Sequence, residues 1–253
     1  MDEKRAQLKK YFKPFPKWAV WLIVIGAPLV LAKGIGLVLI GIGAWAIFAW
    51  SQKPTDQQVD LWIEEDLKGL NSKALAKSGT DQSELVGETV QVTGPRFWNV
   101  GGAEVSFKKG KDNFLRFTPI GVSVINFTAS QLVVYQCALD LGTGNPLNEG
   151  TDEYFYRDVV SVSTQSKTKT LHKGDLPAKG LTGALKNALD SAGTLQLNDA
   201  ETFVLTTSGG TSVEVVLRDR RLIDKMGGGD IPTTTADKAI QSVRKMLRER
   251  KSA

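Results

Sequence analysis

The feature that most constrains this chain is a long apolar stretch, residues 18–50, which contains one charged residue, Lys33. As one helix it would be longer than a bilayer core of about 30 Å requires, with the lysine near the middle. As two helices, each is slightly short of the roughly 20 residues of a full span. Because Gly34 permits a tight turn and a lysine can reach the headgroups, we expect a transmembrane helical hairpin with its turn at Lys33–Gly34.

Tryptophan and basic residues predict how this hairpin is oriented. Tryptophan prefers the membrane–water interface, and it occurs near both ends of the stretch but not at the turn. Six basic residues precede the stretch, which favours a cytoplasmic N-terminus, and a hairpin returns the chain to the same side. We therefore expect a plasma or inner membrane protein with both termini cytoplasmic. The predicted membrane-interface residues are Trp18, Trp21, Lys33, Trp45 and Trp50.

Two other interpretations of the apolar stretch stay open. A re-entrant loop that enters the bilayer without crossing it would also leave both ends on one side. A cleaved signal peptide would need a site of small residues, and Ala44-Trp45-Ala46 resembles one. The stretch is long for a signal peptide, and it continues past that site to Trp50.

The net charge of +5 is unevenly distributed, with basic clusters near the two ends of the chain. Basic clusters beside a membrane segment indicate anionic headgroups, whereas nucleic-acid binding is not expected because no basic–aromatic recognition motif accompanies them. Residues 1–17 are predicted to be a basic cytoplasmic segment that begins with a short helix ending before Pro14. The candidate headgroup contacts are Lys9, Lys10, Lys13, Lys17, Arg244, Lys245 and Arg248.

Residues 51–85 predict an acidic helical linker. Thr55 and Gln58 have the spacing of a helix N-terminus, and apolar residues follow at helical intervals. A second short helix is predicted over residues 73–77 and ends near Gly79.

From residue 86 onward, about eight short strands are predicted, because alternating apolar segments are bounded by turns. One of them covers residues 154–164, and the turn at 208–211 predicts a hairpin.

Two helices are predicted in this part of the chain. Residues 166–199 resemble an insertion with a short helix near Leu181, Leu185 and Leu189. Residues 235–251 predict a C-terminal helix, with an apolar stripe of Ile240, Val243 and Leu247. The expected fold is membrane-anchored α+β, with a two-helix transmembrane hairpin followed by a mainly antiparallel β-barrel or sandwich and a C-terminal helix.

Val124–Thr128, followed by Gln131–Tyr135, resembles a strand pair of bacterial pleckstrin-homology-like and GRAM-like domains. Tyr156–Val162 is similar to a later strand of that family, and the hairpin and helix near the C-terminus are also similar. The resemblance covers roughly residues 86–251. It implies a binding or scaffolding module, often membrane-associated, with no catalytic residues to carry over.

Few residues offer catalytic or metal chemistry. Cys137 lies in an apolar run, where we expect a small buried core residue. The one histidine, His172, lies in a Lys/Thr/Gly-rich stretch, so no His–Cys zinc set is available. The glycines 227–229 lack the spacing of a phosphate loop. We predict a protein that is not an enzyme and has no catalytic, cofactor or metal site.

The hypothesis from sequence is a non-enzymatic, membrane-anchored scaffold or adaptor. Its cytoplasmic domain, residues 86–253, would bind a protein partner or associate with a second copy. The alternative is a membrane protein that senses anionic lipids.

Overall fold

The computed structural model describes residues 3–30, 34–176, 193–219, 223–224, 227–231 and 234–251. The chain divides into two compact units, Met1–Asp60 and Leu61–Ala253. The helices of the first unit are α1 (Glu3–Phe12), α2 (Lys17–Leu29), α3 (Ile35–Ser51) and the first turn of α4 (Asp56–Ser78).

The helix bounds in the first unit agree with the predicted helices. The short basic helix before Pro14 is confirmed as α1. Gly34 immediately precedes α3 with a φ of 75°, a left-handed conformation that glycine adopts without strain. Lys33 lies outside the described residues.

Helices α2 and α3 pack against each other in opposite directions through small residues. Gly36 at the start of α3 lies against the end of α2, where an added Cβ would overlap the Gly26 carbonyl oxygen. Gly43 lies against the start of α2, where a Cβ would stand 2.6 Å from the Ala19 carbonyl oxygen. The small residues therefore permit the two backbones to approach closely.

The segments before α2 and after α3 are joined by hydrogen bonds. The Trp50 indole N–H donates to the Lys13 carbonyl oxygen at 3.3 Å, and Lys53 Nζ donates to the Tyr11 carbonyl oxygen at 3.2 Å. The Tyr11 hydroxyl donates to an Asp56 carboxylate oxygen at 2.6 Å. The two ends of the helix pair are thus held together.

Membrane crossing by these helices stays a prediction. Helix α2 has 13 residues and α3 has 17, which correspond to roughly 20 and 26 Å. Among the described residues, no helix alone is long and apolar enough to cross a bilayer. Ile35–Ser51 and Asp56–Ser78, which are bent by 53° relative to each other, are long and apolar enough for a span only when they are taken together.

The second unit is α+β, and its described strands are mainly antiparallel, as predicted. A four-stranded sheet has the order β1-β4-β5-β6, β2 pairs with β3, and a three-stranded sheet has the order β7-β8-β9. A C-terminal helix, α5 (Thr234–Lys251), follows. The described strands form no closed barrel. The strands are β1 (Val90–Pro95), β2 (Ser106–Lys109), β3 (Leu115–Thr118), β4 (Ile120–Phe127), β5 (Gln131–Leu139), β6 (Pro146–Phe155), β7 (Val159–His172), β8 (Thr194–Thr207) and β9 (Ser212–Asp219).

The hydrophobic core lies between the four-stranded and three-stranded sheets, and α5 covers it. Because successive side chains of a strand point to opposite faces of the sheet, one face of each of the two sheets contributes apolar side chains to this core. The predicted apolar stripe of the last helix is confirmed, because Ile240 and Val243 are buried and Leu247 packs against the core. The strands contribute Val90, Val92, Ile125, Phe127, Leu132, Val134, Tyr154, Val159, Val162, Phe203, Leu205, Val213, Val215 and Leu217.

One long helix replaces the two predicted for the acidic linker. The Thr55 hydroxyl accepts the Gln58 N–H at 3.2 Å, and Gly79 follows the helix end with a φ of 66°, both as expected. The predicted break before residue 73 is wrong, since α4 continues to Ser78. Gln91 of β1 donates to the Leu67 carbonyl oxygen and to Asn71, at 2.7 and 2.6 Å. This contact with the sheet stabilises the helix where its local propensity is weak.

The strand predicted over residues 154–164 is confirmed only in part, because residues 154–155 end β6 and residues 159–164 begin β7. A 3₁₀ turn, Tyr156–Asp158, interrupts it and leads the chain from the four-stranded to the three-stranded sheet. Tyr156 is buried there, and its hydroxyl donates to the Thr128 carbonyl oxygen at 2.8 Å. Strand β6 was not predicted, because its exposed polar residues do not alternate with apolar ones.

The segment predicted as an insertion, residues 166–199, begins and ends as strand. Its ends extend β7 and β8, where Leu171 pairs with Leu195. The predicted short helix at Leu181, Leu185 and Leu189 lies outside the described residues.

Candidate functional site

The paired helices α2 and α3 leave a broad apolar surface exposed. The predicted interface residues Trp18, Trp21 and Trp45 are 56%, 66% and 70% exposed. Soluble monomers rarely expose a contiguous apolar patch larger than a few hundred Å². This surface therefore needs an apolar surrounding. Its other exposed members are Val20, Val24, Ile25, Leu29, Ile35, Leu37, Val38, Ile42 and Phe48.

Trp50 is placed differently from the other predicted interface tryptophans. It is half-buried, and the Phe15 ring lies edge-on to it with the centroids 5.0 Å apart. Lys53 Nζ lies 4.4 Å from the centre of the Trp50 ring. Aromatic and lysine side chains thus meet where the chain leaves the helix pair, a combination typical of a membrane interface.

The candidate headgroup contacts lie mostly at the surface. Arg244 already has a partner, since its guanidinium donates two hydrogen bonds to the Val162 carbonyl oxygen at 3.0 and 3.2 Å. Lys245 Nζ lies 3.9 Å from the Glu249 carboxylate. Arg244 therefore joins α5 to β7, a role that the sequence did not predict. The exposed members are Lys9, Lys13, Lys17, Arg244, Lys245 and Arg248, and Lys10 is half-buried.

A cleft of about 500 Å³ lies in the second unit, lined by residues of β1, β4, β5, β6, β7 and β9 and their adjoining loops. Ser123 of β4 and Gln136 of β5 are register partners, and the Gln136 amide donates to the Ser123 hydroxyl at 3.0 Å. At the other end of the same sheet face, Ile125 and Val134 occupy the equivalent paired positions in the core. Polar residues thus replace apolar ones where the cleft begins.

Two cations in this cleft contact one tryptophan. The Arg96 guanidinium carbon lies 5.2 Å from the centre of the Trp98 ring, and Lys169 Nζ lies 4.5 Å from it. Trp98 is buried, and Arg96 Nε donates to its carbonyl oxygen at 3.2 Å. Both distances are within the range of cation–π attraction.

The surroundings of the two cations disfavour their charged forms. Burial lowers the pKa of Arg96. Burial also lowers the pKa of Lys169, and the positive charge of Arg96 lowers it further, while the charges of Glu214 and Asp175 oppose the shift. Like charges brought together in a partly buried site are stabilised when an anion joins them.

The two carboxylates that line the cleft, Glu214 and Asp175, have other direct partners. Glu214 pairs with Lys167, with 2.5 Å between Oε1 and Nζ. Asp175 accepts the backbone N–H of His172 at 2.9 Å. No ion pair in the described part of the chain includes Arg96 or Lys169. The cleft therefore carries positive charge that is not neutralised by direct contact.

A second polar cluster lies on the opposite face of the four-stranded sheet. The Tyr135 hydroxyl donates to Glu149 at 2.8 Å, and Lys73 of α4 donates to the same carboxylate at 3.2 Å. Burial would raise the pKa of Glu149, but the hydrogen bonds from Tyr135 and Lys73 and the charge of Lys77 hold it below its ordinary value. This cluster ties α4 to β5 and β6.

Cys137 lies beside that cluster and is buried, which confirms its predicted core position. Burial raises the pKa of its thiol to about 11. Among the described residues, no group of three or more His, Cys, Asp or Glu side chains could hold a metal ion.

Arg96, Trp98 and Lys169 were not predicted as site residues from the sequence. Arg96 and Trp98 directly follow β1, and a cation and an aromatic residue at a strand end are a usable signal. Lys169 is more than 70 positions away, in the segment predicted as an insertion, and only the β7–β8 pairing brings it to the cleft.

No protein-family model, curated protein or solved structure matches this chain.

Proposed function

We propose that this protein is a non-enzymatic, membrane-anchored scaffold or adaptor. The α2–α3 pair is its membrane hairpin, and both termini are cytoplasmic. The second unit is a pleckstrin-homology-like module that binds a protein partner or a second copy of the chain. The observation that carries the proposal is the exposed apolar surface of α2 and α3, with Trp18, Trp21 and Trp45 on it.

The order of elements supports the pleckstrin-homology-like assignment. Strands β1, β4, β5 and β6 form one antiparallel meander, and β7, β8 and β9 form a second. A C-terminal helix then contributes Ile240 and Val243 to the core between them. In this assignment, the β2–β3 hairpin is an addition between the first two strands of the meander.

An exposed apolar pair supports a role in protein binding. Phe155 and Val160 flank the 3₁₀ turn between the two sheets and are 48% and 59% exposed. Exposed aromatic side chains such as Phe155 are enriched at protein–protein interfaces. The test is the size of the assembly purified from membranes in mild detergent. We expect Phe155→Ser with Val160→Ser to reduce that size, whereas a Lys68→Gln control, at an exposed position of α4, leaves it unchanged. An unchanged size in the double variant would contradict this role.

Full crossing by the hairpin is part of the proposal, and Lys33 tests it. In a Cys137→Ala background, Lys33→Cys should react with an impermeant thiol reagent applied to intact cells. Reaction only after permeabilisation would favour the re-entrant alternative, and the anchor itself would stand in either case.

The lipid-sensing alternative is favoured by the exposed basic residues Lys245 and Arg248 of α5. Each basic residue near an anionic surface contributes about 1 kcal/mol. A fluorophore at Lys245→Cys in the Cys137→Ala background, in nanodiscs with quencher-labelled headgroups, tests it. Quenching that requires anionic lipid supports the alternative, and equal quenching in neutral and anionic nanodiscs rules it out.

A further inference from the structure

We propose that the cleft between the two larger sheets is a binding site for a small phosphate-bearing anion, held by Arg96 and Lys169 beside Trp98. This inference does not depend on the scaffold role. The cleft, its two cations and its polar lining all lie in the second unit.

The charge of the cleft favours an anion. Arg96 and Lys169 both lie against Trp98, and neither carboxylate of the cleft, Glu214 or Asp175, forms a direct ion pair with them in the described part of the chain. A dianionic group between the guanidinium and the ammonium would remove their mutual repulsion. It would also accept charge-assisted hydrogen bonds, which are about twice as strong as neutral ones.

The donor set favours a phosphate group. Arginine presents a planar fork of N–H donors that matches phosphate oxygens, and lysine adds a point charge. A cleft of about 500 Å³ is in the usual range for small-molecule sites and exceeds the size of phosphate itself. Ser123 and Gln136 offer hydroxyl and amide groups to the polar remainder of such a molecule.

The surroundings of the cleft favour a water-soluble molecule over a lipid headgroup. A lipid site needs exposed apolar side chains at its rim to enter the bilayer. None of the described residues that line the cleft is an exposed large apolar residue. The exposed apolar residues of the second unit, such as Phe155 and Val160, lie elsewhere.

The test is calorimetric titration of the full-length protein in nanodiscs of neutral phosphatidylcholine. The probes are inorganic phosphate and glycerol 3-phosphate, with sulfate and chloride for comparison. We expect saturable binding of glycerol 3-phosphate that Lys169→Gln weakens about tenfold, since one hydrogen bond to a charged group is lost. Lys169→Arg keeps the charge and should retain most of the affinity, and the Lys68→Gln control should bind as the wild type does.

The outcomes separate the sources of the phosphate group. Equal affinity in nanodiscs with and without phosphatidic acid supports a soluble ligand. Loss of soluble-ligand binding when phosphatidic acid is present means that the headgroup occupies the cleft, and it overturns the soluble assignment. Absence of saturable binding, or equal affinity in wild-type and Lys169→Gln proteins of equal thermal stability, overturns the site itself.

Discussion

Gly94 of β1 lies so close to Val216 of β9 that a Cβ at position 94 would overlap the Val216 carbonyl oxygen. Here the four-stranded and three-stranded sheets approach each other, although no ladder joins β1 to β9 among the described strands. Backbone lies opposite backbone, so no flexible side chain can move aside. Glycine at this position therefore permits the two sheets to pack.

Gly94→Ala should lower the free energy of unfolding by about 1–3 kcal/mol, the usual cost of overpacking. Gly121→Ala is the matched control, because Gly121 is the register partner of Gly94 and a Cβ there would meet the Arg96 Cβ at an ordinary 3.5 Å. Urea unfolding of both variants measures the difference. Equal stability of the two would contradict the close approach of the sheets.

The helix pair of the first unit offers a similar comparison. Gly43→Ala places a Cβ 2.6 Å from the Ala19 carbonyl oxygen, whereas a Cβ at Gly41 would have no neighbour within 4 Å. We expect Gly43→Ala to destabilise the α2–α3 pair by about 1–3 kcal/mol and Gly41→Ala to leave it nearly unchanged. Denaturation by SDS in mixed micelles, followed by circular dichroism, measures the stability of the helix pair in each variant. The prediction fails if Gly41→Ala is the more harmful change.

Glu149 should make the docking of α4 sensitive to acid. Its pKa is lowered in the folded state, so its contribution to stability is present above the ordinary glutamate pKa and disappears as the pH falls through the lowered value. At neutral pH, Glu149→Gln should cost about 1–2 kcal/mol, because hydrogen bonds from Tyr135 and Lys73 lose a charged acceptor. The difference in unfolding free energy between wild type and variant, measured from neutral to acidic pH, should shrink. A difference that stays constant with pH would show that Glu149 is not responsible for the acid sensitivity.

Cys137 should be unreactive in the folded protein. Burial raises the pKa of its thiol to about 11, so little thiolate exists at neutral pH, and the side chain is inaccessible. Alkylation by iodoacetamide should be slow until urea unfolds the chain. In the Cys137→Ala background, Lys245→Cys provides an exposed comparison that reacts at once. Fast native labelling of Cys137 would contradict its burial.

The helices and strands with a strong hydrophobic period were predicted from local sequence patterns. The apolar stretch gave α2 and α3, and the turn at 208–211 gave the β8–β9 hairpin, because each signal lies within a few residues. The elements missed depend on distant contacts. Strand β6 is an edge strand with exposed polar residues, and α4 continues through a weak helical region where Gln91 binds it.

The two candidate sites also differ in how far the sequence could predict them. The exposed tryptophans were predicted because a long continuous apolar segment indicates an apolar environment from the sequence alone. The cleft was not predicted because Arg96 and Lys169 meet only through the packing of two sheets. Pairing across such distances has no local signature in a single sequence.

Alkaline carbonate extraction of membranes from cells that express the chain tests the membrane anchor most directly. We expect the wild-type protein to stay in the membrane pellet. A variant with Val24→Asp and Ile42→Asp, at exposed residues near the middle of α2 and α3, should be released, because each aspartate costs about 2.5–3.5 kcal/mol at a bilayer centre. Wild-type protein in the carbonate supernatant would contradict the anchor.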